Sequence, residues 1–381
     1  MSTLKVDTIT KADGTGSLSV PAESGTVVTT ASPSLGRRNL IINGDMRIDQ
    51  RNAGASVTVN ANAVFHAVDR FGAVGQGSDG VFTIQQSTTA PAGFYNSVVA
   101  TVTTADASIG SVQEYGMDYQ VEGYDVAHLN FGTADAQTIT LSFWVRSSLT
   151  GTFGGSLRNS AANRSYPFSY SISSADTWEQ KTVTISGDTS GTWLKNNMIG
   201  MMLFWSLGTG SSLNGTAGAW AGTNYTGVAG QTNLIGTNGA TFYITGVQLE
   251  VGSVATPFEH RSYGEELALC QRYFINFGDL RLLAVGSRTA DTGGIRAQSM
   301  LFPCAMRTQP SASYNDGYGN SAKVSMQPCD QNTETQTNLN LGLQYNYQGI
   351  SGLISYNTNM GVSLCQVGIA RLDDVTFDAE L

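Results

Sequence analysis

Between residues 37 and 262 the chain alternates apolar and polar positions in short runs. Val57-Thr58-Val59, Phe82-Thr83-Ile84 and Ser97–Val102 show the pattern, as do Thr138–Val145, Tyr166–Ile172, Gln180–Ile185 and Thr241–Ile244. Each is rich in β-branched and aromatic residues with a period near two, the spacing of a strand with one buried face. Gly, Asn and Asp fill the gaps, which predicts turns between strands and an all-β domain. Two antiparallel sheets packed face to face would bury the apolar side of each strand. Met198–Trp205 is apolar throughout and predicts a buried strand, far short of the roughly 20 residues that span a bilayer. Val247, Leu249 and Val251 alternate with Gln248 and Glu250, and Pro257, lacking an N–H, is expected to end that sheet.

Three segments depart from this rhythm. Residues 1–36 carry Leu4, Val6, Ile9, Leu18, Val20, Val27 and Val28 among small polar spacers, too few large apolar groups for a private core. Order there is expected from neighbouring chains; a flexible tail is the alternative. Gly208–Gly239 is a long Gly/Ser/Thr/Asn-rich stretch carrying Trp220 and Tyr225, and loops of that length are usually functional or disordered. Ser262 caps a predicted helix with Glu265 and Glu266 in its first turn and Leu267, Cys270 and Phe274 on one face. Strand patterns then resume, including Leu282–Val285, Lys323–Met326 and Leu364–Ile369. The expected organisation is a leader (1–36), a jelly-roll β-sandwich (37–262) and a helix followed by a smaller β-domain (263–381).

Asn39–Met46, Gly246–Glu259 and the helix Glu265–Phe274 occur in the order found in bacteriophage tail fibres. The first two resemble the opening and closing strands of the jelly-roll module in phage tail proteins, and the leader resembles N-termini of marine and cyanobacterial phage fibres. That resemblance implies a virion protein assembled in the host cytoplasm, attached to other tail or virion proteins through its N-terminus. It also implies a homotrimer that adheres to host surface polysaccharide or lipopolysaccharide without catalysis. The alternative is a structural virion adaptor or tail decoration protein whose jelly roll binds other virion proteins.

Composition narrows the partners. Charged residues are 13% of the chain, about half the usual share of roughly 25%, and the net charge is −9. An acidic chain without basic runs is repelled by phosphate backbones and anionic headgroups, which argues against nucleic acid and membrane insertion. Neutral, hydroxyl-rich glycans remain compatible. No apolar signal segment follows Met1. Cys270, Cys304, Cys329 and Cys365 form no C-x-x-C pair and are expected as free thiols.

Catalytic chemistry is thinly represented. His66, His128 and His260 are the only histidines, and no G-x-S-x-G elbow accompanies them. Asp45 with Asp49, or Glu114 with Asp118, pair carboxylates without a distinguishing motif. Gly75-x-Gly77-x-x-Gly80 lacks a following helix and is no phosphate loop. Carbohydrate-binding jelly rolls like this module often hold a structural calcium, and Asn43, Asp45 and Glu250 offer oxygen ligands in the matching segments. The competing reading is a turn at Asn43-Gly44 capped by Asp45. Glycan recognition pairs aromatic faces with amide and carboxylate groups. Two sets fit: Trp220, Asn224 and Tyr225 in the long loop, and Tyr314, Asn315, Asp316, Tyr318, Tyr345, Asn346 and Tyr347 near the C-terminus. Burial is the competing reading for each aromatic, and Trp144 and Trp205 sit in apolar runs expected in the core.

Overall fold

The computed structural model describes residues 9–10, 17–18, 37–60, 64–77, 79–287, 294–297, 300–315, 323–328, 335–340, 345–350, 353–355 and 366–380. The chain divides into two units, Met1–Arg38 and Asn39–Leu381. In the first, β1 (Ile9–Thr10) pairs antiparallel with β2 (Ser17–Leu18).

The second unit is built on a jelly-roll sandwich of two six-stranded sheets. In chain order its strands are β3 (Val57–Val59), β4 (Val64–Val68), β5 (Phe71–Gln76), β6 (Val81–Ser87), β7 (Ser97–Thr104), β8 (Glu114–Glu122) and β9 (Ile139–Ser147). They continue as β10 (Gly151–Arg158), β11 (Ser165–Ile172), β12 (Glu179–Ile185), β13 (Ile199–Thr209), β14 (Asn214–Gly215), β15 (Gly227–Val228) and β16 (Thr241–Val251). Sheet I runs β12-β9-β16-β7-β6-β3 and sheet II runs β11-β10-β13-β8-β5-β4. Between them lie Phe143, Val145, Phe242 and Ile244 from sheet I and Tyr115, Met117, Tyr119, Leu203 and Trp205 from sheet II, all buried. Rings meet across the gap, as Phe143 on Trp205 at 5.9 Å and Phe153 on Phe242 at 6.0 Å. Each such burial contributes about 1.5–3 kcal/mol, which fixes the register of every strand that supplies one.

The alternating segments predicted as strands between residues 57 and 251 form, and β13 is the buried strand expected at Met198–Trp205. Four strands of sheet II, β4, β5, β8 and β10, add to them. Asn39–Met46 is not a strand. It is a turn in which Asn39 uses its side chain as a strand would use its backbone: Ile41 and Leu249 N–H donate to Oδ1, each at 3.0 Å, and Nδ2 donates to Val247 O at 3.0 Å. Sheet I ends at Val251, before Pro257, where Gly252 takes a left-handed φ of 114°.

Ser262 does cap the helix, α1 (Tyr263–Gln271), its Oγ accepting from Glu265 N–H at 3.3 Å. Glu266 is in the first turn as expected and is buried, and Phe274 opens the next strand instead of extending the helical face. That strand, β17 (Phe274–Ser287), pairs along Gln366–Asp378 in a separate C-terminal sheet. This sheet belongs to the same compact unit as the sandwich. Buried Glu122 of β8 joins the two: Arg272 Nε and Nη2 donate to it at 2.8 and 2.6 Å, and Tyr273 OH at 2.8 Å. Of the cysteines, Cys270 is buried and free and Cys304 half-buried and free; Cys329 and Cys365 lie outside the described residues.

Candidate functional site

Strand β8 reads Glu-Tyr-Gly-Met-Asp-Tyr-Gln-Val-Glu. Tyr115, Met117, Tyr119 and Val121 enter the core, so Glu114, Gly116, Asp118, Gln120 and Glu122 line the outer face of sheet II. One register row crosses that face as His66, Gly72, Asp118, Phe204, Ser156 and Pro167. Arg158, Met202 and Gln120 form part of the next. Gly116 is required here: a Cβ would run into the Phe204 ring and lie 2.6 Å from Trp205 O. Phe204 therefore lies against the strand, with the Arg158 guanidinium 5.6 Å from its ring centre.

Two segments wall the face. On the β10–β13 side the long loop folds back onto the sheet. Gln231 Nε2 donates to Ser206 Oγ at 2.6 Å and Thr209 Oγ1 at 2.8 Å, and Arg158 Nη1 donates to Asn224 Oδ1 at 2.8 Å. On the β4–β5 side Arg70 pairs with Glu380, beneath a small polar cavity lined by His66, Arg70, Gly72, Asp118, Gln120 and Glu380. Arg70 is itself stacked on Tyr273 at 3.6 Å and holds a left-handed φ of 71°.

The polar groups between these walls are recessed and short of partners. Among the described residues, Glu114 Oε2, Asp118 Oδ1, Gln120 Oε1, Ser156 Oγ and Arg158 Nε are buried without a hydrogen-bond partner. Asp118 keeps only 7% of its surface and Arg158 8%, and among the described residues the Asp118 carboxylate accepts one hydrogen bond, from Gln120 Nε2 at 3.2 Å. Burial raises the Asp118 carboxyl above the usual carboxylate range, partly offset by Gln120, Arg158 and Arg70. Burial likewise lowers the Arg158 guanidinium, against the pull of Glu114 and Asp118. Both shifts run toward neutrality, so desolvation outweighs their attraction, and a ligand that supplies hydrogen bonds here gains the full cost of leaving these groups unpaired.

The sequence-predicted residues scatter. Asn224 reaches this face. Trp220 does not: it is half-buried, its edge set against Phe131, Trp193 and Tyr166 at 5.9, 5.6 and 5.3 Å, and its Nε1 donates to Ser186 O at 2.7 Å. Tyr225 packs on Gly215. Tyr314 is half-buried beside the last strand, whereas Asn346 and Tyr347 are exposed in a separate turn. Asn315 and Tyr345 are placed on strands, and Asp316 and Tyr318 lie outside the described residues. Phe204, Ser156, Arg158 and Gln120 were not signalled by any motif.

The residues expected as calcium ligands make contacts within the fold. Asn43 Oδ1 accepts from Ile48 N–H at 2.9 Å, and its Nδ2 donates to Ile48 O and Asp69 O at 2.8 Å each. Asp45 pairs with Arg47. Glu250 accepts from Gln248 Nε2 and Thr256 N–H at 2.8 Å each and from Thr256 Oγ1 at 2.7 Å. Asn43 Oδ1 and the Glu250 oxygens are taken by the fold, whereas Asp45 Oδ1 is buried without a hydrogen-bond partner among the described residues, where no group of three or more His, Cys, Asp or Glu side chains could hold a metal. Asp49, the partner suggested for Asp45, accepts from Asn52 and Gly54 N–H in a turn.

No protein-family description matches the chain, and no curated protein matches it. Among solved structures it is similar to the enzymatically active domain of bacteriophage CBA120 tailspike protein 4. That match has 11% identity and a TM-score of 0.29 over 56% of this chain, and spans only 21% of the tailspike domain. It is also similar to a family 11 carbohydrate-binding module from Clostridium thermocellum crystallised with a mixed-linked tetrasaccharide. There the identity is 12%, the TM-score 0.26, and the match covers 54% of this chain and 100% of the module. A family 22 module of Clostridium thermocellum Xyn10B gives 12% identity and a TM-score of 0.27 over 52% of this chain and 99% of the module. Likeness of that degree carries nothing of what these proteins bind or do to this chain.

Proposed function

We propose that this protein is a non-enzymatic glycan-binding adhesin of a phage tail, engaging host surface polysaccharide or lipopolysaccharide through the outer face of sheet II. The observation that supports the reading is the recessed row of Glu114, Asp118, Gln120, Ser156 and Arg158 atoms without partners. Sugar hydroxyls are the groups that suit such a face, each able to donate and to accept. The phage assignment rests on the order of the Asn39–Met46, Gly246–Glu259 and helical segments. A homotrimer attached through residues 1–36 would add avidity, with gains of roughly 10²–10⁴ when linked copies engage one surface.

The reading is adhesion without hydrolysis, because neither Glu114 nor Asp118 carries a distinguishing hydrolase motif. The test is binding of full-length protein to host cells and to purified host polysaccharide, with reducing-end release followed in the same samples. Saturable binding without released ends is the expected result. Released ends would replace this reading by a depolymerase, and no binding to cells or polysaccharide would leave a structural virion role.

A further inference from the structure

The partnerless atoms on the outer face of sheet II are unequal in kind. Glu114 Oε2, Asp118 Oδ1 and Gln120 Oε1 only accept in the ionised or amide state, and all three stand on β8. The donors opposite them are fewer: Arg158 Nε, and Ser156 Oγ, which can act either way. The guanidinium is partly committed: its Nη1 donates to Asn224 Oδ1, its carbon lies 5.6 Å from the Phe204 ring centre, and the carboxylates of Glu114 and Asp118 already act on its charge. Arg70, on the far wall, is committed to Glu380 and to Gln120 O.

We infer that this face reads its ligand through the ligand's own hydrogen-bond donors, and so selects sugar units bearing hydroxyl or amino groups and rejects units bearing carboxylates. The inference rests on the glycan-binding reading above and names the chemical class that site takes. A uronate carboxylate brings only acceptors to a face already rich in them, beside two buried carboxylates with little water to screen them. A hydroxyl or ammonium satisfies Asp118 and Glu114 directly. Charge-assisted bonds of that kind are the strong ones. A pocket of acceptors discriminates by what it leaves unpaired: a ligand without donors strands Asp118, Glu114 and Gln120 in the desolvated state.

The experiment uses the full-length protein against three soluble polymers at one ionic strength: dextran, chitosan oligomers and polygalacturonate. Because the whole chain carries a net charge of −9, exclusion of polygalacturonate must be traced to the site. Asp118→Asn and Glu114→Gln each keep the side-chain shape, and Asp135→Asn removes one exposed charge elsewhere. The expected result is binding of dextran or chitosan oligomers at least tenfold tighter than polygalacturonate. Asp118→Asn and Glu114→Gln should narrow that ratio severalfold, and Asp135→Asn should leave it unchanged. Thermal unfolding of each variant separates loss of fold from loss of recognition, and Glu114→Gln stands if Asp118→Asn does not fold. Chitosan alone binding assigns the donor to an ammonium, and dextran binding assigns it to hydroxyls; either supports the inference. Polygalacturonate bound as tightly as the others overturns it while leaving the glycan-binding reading intact. Equal narrowing by Asp135→Asn overturns it too, by tracing the preference to overall charge. No binding of any of the three polymers, in a protein that binds host polysaccharide, overturns the inference alone; no binding of host polysaccharide either overturns both.

Discussion

Arg158 and Asn224 are joined across 66 residues by one hydrogen bond, Nη1 to Oδ1 at 2.8 Å, and that bond holds the long loop onto the outer face of sheet II. Arg158 has little else: it is buried, its Nε has no partner, and its plane rests near Phe204. The loop and the recessed face are thus one structure. Asn224→Ala is expected to destabilise the fold by about 1–3 kcal/mol, the cost of stranding a buried donor. Glycan binding should weaken about tenfold as the loop loosens, in keeping with 1.4 kcal/mol per decade. Urea unfolding and polysaccharide titration check the two effects separately.

Gly116 is expected to tolerate no side chain. A methyl there meets Phe204 and the Trp205 carbonyl, and both belong to β13, which the core fixes. Gly116→Ala should cost about 1–3 kcal/mol by overpacking. The measurement is the unfolding midpoint, with tryptophan fluorescence reporting on Trp205; an unchanged midpoint would mean that β8 and β13 separate freely.

Glu122 couples the sandwich to the C-terminal sheet. Glu122→Gln keeps the shape but removes the carboxylate charge and one of the two oxygens that accept from Arg272 and Tyr273. The expected loss is about 1–3 kcal/mol, kept modest because Arg272 retains 33% of its side-chain surface in water. Limited proteolysis should then cut first between the sandwich and β17.

Acid stability should show two opposed slopes. The Asp69 carboxyl is pushed up to about 6, first by burial, against the hydrogen bonds from Gln50. The folded chain therefore holds that proton more tightly than the unfolded one, whose carboxyl titrates near the usual ~3.9. Asp69 adds stability below about pH 4 that is lost as pH rises through 6. His66 runs the other way. Burial and the positive charges of Arg51 and Arg70, against Asp378, hold its imidazole down to about 3. Its contribution is present above the ordinary ~6.5 and is lost as pH falls toward 3. Between pH 4 and 6 the two should partly cancel in the parent chain. Asp69→Asn is expected to fall in stability steadily with acid over that window, and His66→Gln to rise. Urea midpoints from pH 4 to 7 test both signs.

Most of the sandwich was legible because half-buried strands advertise themselves. Phe143, Val145, Phe242 and Ile244 recur at alternate positions, and burial of one face demands that period. Strand β8 carried the same signal in Tyr115, Met117, Tyr119 and Val121, but its polar positions are Glu114, Asp118, Gln120 and Glu122, residues usually read as loop. β5 and β10 were obscured by Gly72, Gly75, Gly154 and Gly155, which bring backbones and rings close together and leave little periodic apolar content. Of the candidate site, Asn224 was legible as a polar group in an unusual loop. Trp220 was equally conspicuous, and proves to be a wedge in an aromatic cluster.

The order of residues alone determined the all-β class, the capped helix at Ser262 and the buried strand around Trp205, because each depends on neighbours within a few positions. It also marked Asn39, Glu259 and the helix as parts of one signature, without saying why they belong together. Tertiary structure supplied the reason: Arg261 reaches Asn39 O, Ile41 O at 3.0 Å and Glu266 at 3.2 Å, while Glu259 accepts from Asn39 N–H at 2.9 Å. The contacts to Asn39 and Ile41 span more than 200 positions of chain, and no local pattern encodes them. The recessed face has the same origin. Glu114, Ser156, Arg158, Phe204 and Asn224 are far apart in sequence, and only the strand order β10-β13-β8 and the folded-back loop set them on one desolvated surface.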